Sequence, residues 1–252
     1  MIKIGKYFCT SKVGCNSAST IYQANSQTNS KQLVVKVSNE TPEFENEIKL
    51  LKFCQHEGVV KFVDSFHDDS KQILVLEAGK ELFQYIIDNN GFSEKEAKKL
   101  FKNIFLAVKY IHSKSIVHRD IKLENIIITE KGKLKLIDFG LASELNKCKD
   151  SKNLCGTALY LSPEVIQKKG YSEKVDIWSL GITLFGAVAG FFPFDSSDEY
   201  SYAIEALTAE PAFEDADVSE SFKDLIRHML EKNPEKRYSA EQCLCHEWFE
   251  GV

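Results

Sequence analysis

The chain has 252 residues, 32 of them basic and 37 acidic, for a formal net charge of −5. With 43% hydrophobic and 27% charged residues it falls in the ordinary soluble globular range, which excludes a disordered chain, a collagen-like chain and a disulfide-dense miniprotein. The mild acidity argues against nucleic acid as the main partner, because phosphate binding usually shows as a basic surplus. Seven cysteines, without a pair of CxxC motifs, fit free thiols in a reducing compartment. Cys243, Cys245 and His246 lie close in sequence, but further zinc ligands at suitable spacing are lacking. The opening Met1-Ile2-Lys3-Ile4-Gly5-Lys6 has no apolar core, so no signal peptide is expected, and Ile at position 2 excludes N-myristoylation.

Taken in order, residues 1–37 read as strands, with apolar or β-branched runs at Tyr7–Val13, Thr20–Ala24 and Gln32–Val37. Thr41-Pro42-Glu43 supplies a cap residue, a proline for the first turn and an acid, which predicts a helix running to Phe53. Strands near Val59–Phe66 and Ile73–Leu76 bring the total to five. Near Glu77–Lys80 the pattern turns helical. Ser93-Glu94-Lys95-Glu96 is a capping box, and Ala97, Leu100, Phe101, Ile104, Val108 and Ile111 follow at helical spacing. Short strands at Ile126–Ile128 and Leu134–Ile137 interrupt, and a second capping box closes the chain at Ser239–Gln242. Ile177–Phe194 carries no charge and has the length of a membrane span. It also contains Ser179, Gly181, Thr183, Gly186, Gly190 and Pro193, so a helix buried on all sides is the better expectation.

The chemistry concentrates in the middle. His118-Arg119-Asp120-Ile121-Lys122-Leu123-Glu124-Asn125 precedes Asp138-Phe139-Gly140. In that order the two strings resemble the catalytic loop H-R-D-x-K-x-x-N and the D-F-G motif of the eukaryotic protein kinase family. Leu33-Val34-Val35-Lys36 resembles the family's V-A-I-K strand, Ser162-Pro163-Glu164 its A-P-E, Asp176-Ile177-Trp178-Ser179-Leu180-Gly181 the start of its central buried helix, and Asn233-Pro234-Glu235-Lys236-Arg237 its late D-P-x-x-R. The resemblance covers nearly the whole chain. It implies an α+β, bilobal fold: a small five-stranded antiparallel sheet lobe with one helix to about residue 77, a hinge at 78–80, and a larger, mainly helical lobe over 81–252. The length then reads as a nearly minimal catalytic domain without room for a regulatory module.

The resemblance also implies roles. Asp120 would accept the proton of the attacking hydroxyl, with Lys122 following the γ-phosphate. Asn125 and Asp138 would hold Mg²⁺. Lys36 would meet the α- and β-phosphates of ATP, paired with a helix glutamate. Glu43, Glu45 and Glu47 compete for that place; Glu47 is favoured because it shares a helical face with Leu50 and Leu51. Val13, Gly14, Ile21, Val34, Leu76, Glu77, Gly79 and Ile127 complete the expected nucleotide site. Arg237 would pair with Glu164. Lys122, and Gly156-Thr157 ahead of Tyr160, follow the serine/threonine pattern. Glu81-Leu82-Phe83 and Phe192-Pro193-Phe194 resemble the calmodulin-dependent and AMP-activated kinase group, where Glu81 and Glu124 would face basic residues upstream of the acceptor and Thr157 would lie on the substrate side.

Several positions depart from the pattern. Of G-x-G-x-x-G only Gly14 remains, with Asn16 and Ser19 in place of the others. Val34 adds bulk to the adenine pocket. Only Ala78, Gly79 and Lys80 separate Glu77 from Glu81, a short hinge. The usual activation-segment phosphothreonine falls on Asn153, leaving either activity without loop phosphorylation or Ser151 as a substitute regulatory site. An active protein serine/threonine kinase, a pseudokinase scaffold and a small-molecule phosphotransferase remain as readings. Lys36, Glu47, Asp120, Lys122, Asn125 and Asp138 favour the first. The expectation is a cytoplasmic monomer, the nucleus being left open, that acts on protein substrates and binds neither nucleic acid nor membrane.

Overall fold

A computed structural model describes residues 2–15, 19–26, 32–68, 70–148, 155–195, 197–214 and 216–251. The first part is one antiparallel sheet. Its strands are β1 (Ile2–Ile4), β2 (Tyr7–Cys15), β3 (Ser19–Ser26), β4 (Gln32–Asn39), β5 (Phe62–Asp68) and β6 (Lys71–Glu77), ordered β1-β2-β3-β4-β6-β5. The sheet therefore has six strands and not five. The added edge strand pairs Ile2 with Cys9, Lys3 with Phe8 and Ile4 with Tyr7. Gly5, at φ +54°, makes the turn, and a Cβ there would meet the Phe66 ring at 2.7 Å. Val59, expected to open a strand, makes only an isolated bridge to Leu136, and the strand proper starts at Phe62.

Helix α1 (Pro42–Phe53) lies between β4 and β5. Thr41 accepts from the Phe44 N–H and Pro42 sits in the first turn, as the local sequence requires. Its inner face buries Phe44, Glu47, Ile48, Leu50 and Leu51. Asn46 donates to the Ala142 carbonyl at 2.9 Å, which ties α1 to the chain just beyond Asp138-Phe139-Gly140.

The second part opens with β7 (Lys80–Glu81), α2 (Leu82–Asn89) and α3 (Glu94–Ser113). The Ser93–Glu96 capping box forms as expected. Next come β8 (Ile116–Val117), β9 (Ile126–Ile128), β10 (Leu134–Leu136), β11 (Ser143–Glu144) and α4 (Leu145–Cys148). Strands β7, β9 and β10 form one small sheet, and β8 pairs with β11. Lys80 is thus part of a strand, paired with Ile128, rather than free hinge.

Helices α5 (Pro163–Ile166), α6 (Lys174–Ala189), α7 (Glu199–Thr208), α8 (Glu220–Met229) and α9 (Ala240–Leu244) follow. The first thirteen residues of the uncharged stretch, 177–189, form most of the buried helix α6, which closes at Gly190 with φ +82°. Its polar groups are satisfied internally: Trp178 Nε1 donates to Tyr202, Ser179 to the Tyr160 carbonyl and Thr183 to the Ser179 carbonyl. Among the described residues, no helix is long and apolar enough to cross a membrane. His246 is a cap: Nδ1 accepts from the Trp248 N–H at 3.1 Å and Nε2 meets Asp224 at 2.9 Å. Trp248 in turn donates to Glu94, pinning the last segment to α3.

Candidate active site

A cleft of about 920 Å³ opens between the sheet and the helical part. Val13, Ile21, Val34, Lys36, Glu47, Leu76, Glu77, Gly79, Ile127 and Asp138, all expected from the sequence, line it, as does Glu81 at its outer end. Gly14 lies opposite Ile21 in the β2–β3 register. Gln23, Gln32, Gln84, Tyr85, Thr129 and Glu130 also line the cleft and were not anticipated. The short hinge was the available signal for Gln84 and Tyr85, since it brings α2 close behind Gly79.

Deep in the cleft Lys36 Nζ meets both oxygens of Glu47, at 2.9 and 2.8 Å, and Asp138 Oδ1 at 3.3 Å. Strand β4 and helix α1 supply the first pair, so Glu47 and neither Glu43 nor Glu45 is the partner. Burial pushes the Glu47 carboxyl up to about 7, with Lys36 opposing and Asp138 adding to the rise. Burial works against the Lys36 ammonium, but the two carboxylates outweigh it and hold its pKa above the ordinary value. For Asp138 burial is likewise outweighed, by Lys36 and by the Gly140 N–H, and its pKa is held down.

A second cluster forms outside the cleft lining, tied to the lining residue Ile137, whose N–H donates to the Asn125 carbonyl at 2.9 Å. Asp120 Oδ1 accepts from the Thr157 hydroxyl (2.9 Å) and N–H (3.1 Å), and Oδ2 accepts from Asn125 Nδ2 at 2.7 Å. Lys122 Nζ lies 3.0 Å from Asp120 Oδ2 and donates to the Thr157 hydroxyl at 2.6 Å. Both Asp120 oxygens, the Lys122 ammonium and the Thr157 hydroxyl are thus each held by two partners.

The backbone under this cluster is set by a buried carboxylate. Asp176, at the start of α6, accepts from the N–H groups of His118 and Arg119 and from His112 Nε2, all at 2.8 Å. Burial alone would push its carboxyl up, but these donors hold it below its ordinary value. They also hold Arg119 at φ +69°, in a region that costs a branched or long residue. His118 spans to the other motif, through Nε2 to the Ile137 carbonyl (3.0 Å) and edge-on to the fully buried Phe139 ring.

Glu164 and Arg237 form a buried, two-armed ion pair, with Nη1–Oε1 at 2.7 Å and Nη2–Oε2 at 2.9 Å. Glu124 lies near Tyr160, with Oε2 buried and without a hydrogen-bond partner among the described residues. Ser151 and Asn153 lie outside the described residues.

The motifs that carry these two clusters lie within residues 7–249, which match the protein kinase domain. The chain belongs to that family. Its fold is the bilobal kinase fold, a sheet-built lobe on a helical one. The chain is 38% identical over 239 residues to serine/threonine-protein kinase cds1 of Schizosaccharomyces pombe, covering 88% of this chain and 52% of that protein. It is 35% identical to probable serine/threonine-protein kinase 2 of Plasmodium falciparum, covering 96% and 50%. It is 35% identical to calcium/calmodulin-dependent protein kinase type 1 of Macrobrachium nipponense, covering 82% and 62%. The chain thus spans about half the length of the first two of these relatives.

The donor set near the cleft fits a hard divalent cation. Asp138 offers carboxylate oxygen, and Asn125, its Nδ2 committed to Asp120, is left with its amide oxygen.

Proposed function

We propose that this domain is an ATP-dependent protein serine/threonine kinase. The observation that carries the reading is the joint presence of the two clusters: a Lys36–Glu47–Asp138 clamp inside the cleft and an Asp120–Lys122–Thr157–Asn125 cluster tied to its wall through Ile137. Phosphoryl transfer needs positioning and charge neutralisation more than covalent chemistry. Lys36, steered by Glu47, binds the α- and β-phosphates. The adenine lies between Val13, Ile21 and Val34 above and Ile127 below, against Glu77 and Gly79. Asp120 orients the serine or threonine hydroxyl and takes its proton. Lys122, two residues on, faces the transferred group. Asn125 and Asp138 hold the divalent cation, Mg²⁺ in our reading, which when bound neutralises the phosphate charge.

Glu124 supports a reading of the substrate class. A buried carboxylate oxygen without a partner among the described residues is costly, and a turn of this partly exposed side chain toward a cationic group of the substrate would supply one. With Glu81 exposed at the rim and making no cap bond to α2, we propose a peptide with Arg or Lys upstream of the acceptor. The degraded glycine loop, Val34 and the short hinge are the features that favour a pseudokinase scaffold instead. Cytoplasmic, monomeric action on protein substrates completes the proposal.

The test is phosphate transfer from labelled ATP to a basic Ser/Thr peptide, with Asp120→Asn alongside. The wild type is expected to exceed the variant by at least ~10²-fold. Equal rates would replace the kinase reading with the scaffold. A peptide library without basic preference would remove the Glu81/Glu124 assignment alone.

A further inference from the structure

Tyr171 belongs to none of the motifs above, yet it reaches the catalytic loop. It is buried in the turn ahead of α6, and its hydroxyl oxygen accepts from Arg119 Nη1 at 3.0 Å. The same hydroxyl meets Cys155 Sγ at 3.4 Å, so one oxygen links the loop to the segment leading into Gly156-Thr157. On its other edge the Arg119 guanidinium donates through Nε to the Leu141 carbonyl at 2.6 Å, directly after Asp138-Phe139-Gly140. A planar fork bonded on two edges has little freedom left.

The Arg119 backbone is equally constrained. Its N–H is bound to Asp176, its φ is +69°, and a Cβ on Gly156 would come within 2.7 Å of its carbonyl oxygen. Arg119 immediately precedes Asp120, and Gly156 immediately precedes Thr157, which binds Asp120. Movement of the Arg119 side chain is therefore passed to Asp120 itself and to Thr157, one of the residues that hold its carboxylate.

We infer that Tyr171 is a positioning residue for the transfer step: its hydroxyl holds Arg119, and through it Asp120 and Thr157, in the transfer geometry without a phosphate on the activation segment. The inference rests on the kinase reading. It also accounts for Asn153, which cannot carry a phosphate. A neutral hydroxyl supplied by the fold does for Arg119 what a loop phosphate would otherwise do.

The experiment uses the full chain, treated with phosphatase and checked by mass spectrometry, with ATP, Mg²⁺ and a basic serine peptide. Dephosphorylated wild type is expected to keep its kcat. Tyr171→Phe should lower kcat about 10-fold with both KM values nearly unchanged, short of the 10²-fold that a misplacement of about 1 Å can cost. In an Arg119→Gln background the Tyr171→Phe change should have no further effect, because the two act as one unit. A merely structural tyrosine would lower the melting temperature and leave kcat of the folded enzyme alone. Should Tyr171→Phe fold poorly, Arg119→Lys is the second variant; it keeps the charge, loses the fork, and should lose the same factor in kcat. Wild-type kcat in Tyr171→Phe or Arg119→Lys, additive losses, or inactivation of the wild type by phosphatase would each overturn the inference. A wild type no better than Asp120→Asn would overturn the kinase reading and this inference with it, whereas an active wild type beside an equally active Tyr171→Phe removes the inference alone.

Discussion

Lys36 and Glu47 come from a strand and a helix 11 residues apart and meet at 2.8 Å in a pocket where Glu47 is only 2% exposed. The pair is polar machinery placed where apolar packing would be more stable. Its first consequence concerns Lys36→Met. Loss of a buried counter-ion usually destabilises strongly, because the remaining charge is stranded. Here the Glu47 carboxyl already lies up at about 7, so it can take a proton instead of remaining an unpaired anion. Turnover should therefore fall by at least ~10²-fold, as for loss of a transition-state contact, while the melting temperature moves by only a few degrees. Calorimetry beside a transfer assay checks this, and a collapse in melting temperature with turnover preserved in the folded fraction would contradict it.

The same carboxyl sets a pH dependence. Its folded pKa lies above the ordinary 4.5, so the folded state binds the proton more tightly than the unfolded chain does. That contribution to stability is present below pH 4.5 and is lost as pH rises through about 7. Activity should run the other way, because only the ionised carboxylate can steer Lys36. We expect kcat/KM for ATP to rise from pH 6 to pH 8 with a midpoint near 7. Glu47→Gln, uncharged throughout, should be slower and lack this limb. A limb that persists in the variant would assign the titration to another group.

How far the sequence reveals this molecule depends on how local each feature is. Thr41, Ser93 and Ser239 cap helices through residues within three positions, and all three caps form where the spacing predicts. The catalytic strings are also local, which is why Asp120, Lys122 and Asn125 come together. Strand β1 was missed because Ile2–Ile4 is too short for its alternation to register, and its existence depends on pairing with β2. The two-residue strands β7, β8 and β11 likewise exist only through distant partners. The Asp176 carboxylate is 57 and 58 residues from the N–H groups it binds, and Tyr171 is 52 residues from Arg119. No spacing rule connects residues so far apart. The role of Glu47 over Glu43 and Glu45 lay in between, readable as a helical face and decided by packing.

The hinge offers a steric prediction. A Cβ on Gly79 would sit 2.8 Å from Ile127 Cδ1 and 2.9 Å from the Ile128 carbonyl oxygen. The first contact could yield by a rotamer change, but the second is backbone, held by the adjoining pairing of Lys80 with Ile128. Gly79→Ala should thus displace the hinge, at a cost of about 1–3 kcal/mol, and raise KM for ATP several-fold with less effect on KM for the peptide. Chemical denaturation and steady-state kinetics check both halves. An unchanged KM for ATP would mean that the nucleotide does not rest on this hinge.

The buried pair of the helical lobe gives the largest expected stability effect. Arg237 binds both Glu164 oxygens, donates through Nε to the Glu231 carbonyl at 2.9 Å and through Nη1 to the Lys174 carbonyl at 3.0 Å, and lies over the Trp178 ring. One side chain thus ties together α5, the start of α6 and the turn after α8. Arg237→Leu strands a carboxylate and two carbonyls together, so a loss of about 3–5 kcal/mol is expected. Glu164→Leu should cost less, because the guanidinium keeps its two carbonyl acceptors. The double variant, with the charge removed from both sides, should cost clearly less than the sum of the single changes. Urea unfolding at constant m-value measures all three. A loss below 1 kcal/mol for Arg237→Leu, or strictly additive losses, would show that the pair does not brace the lobe.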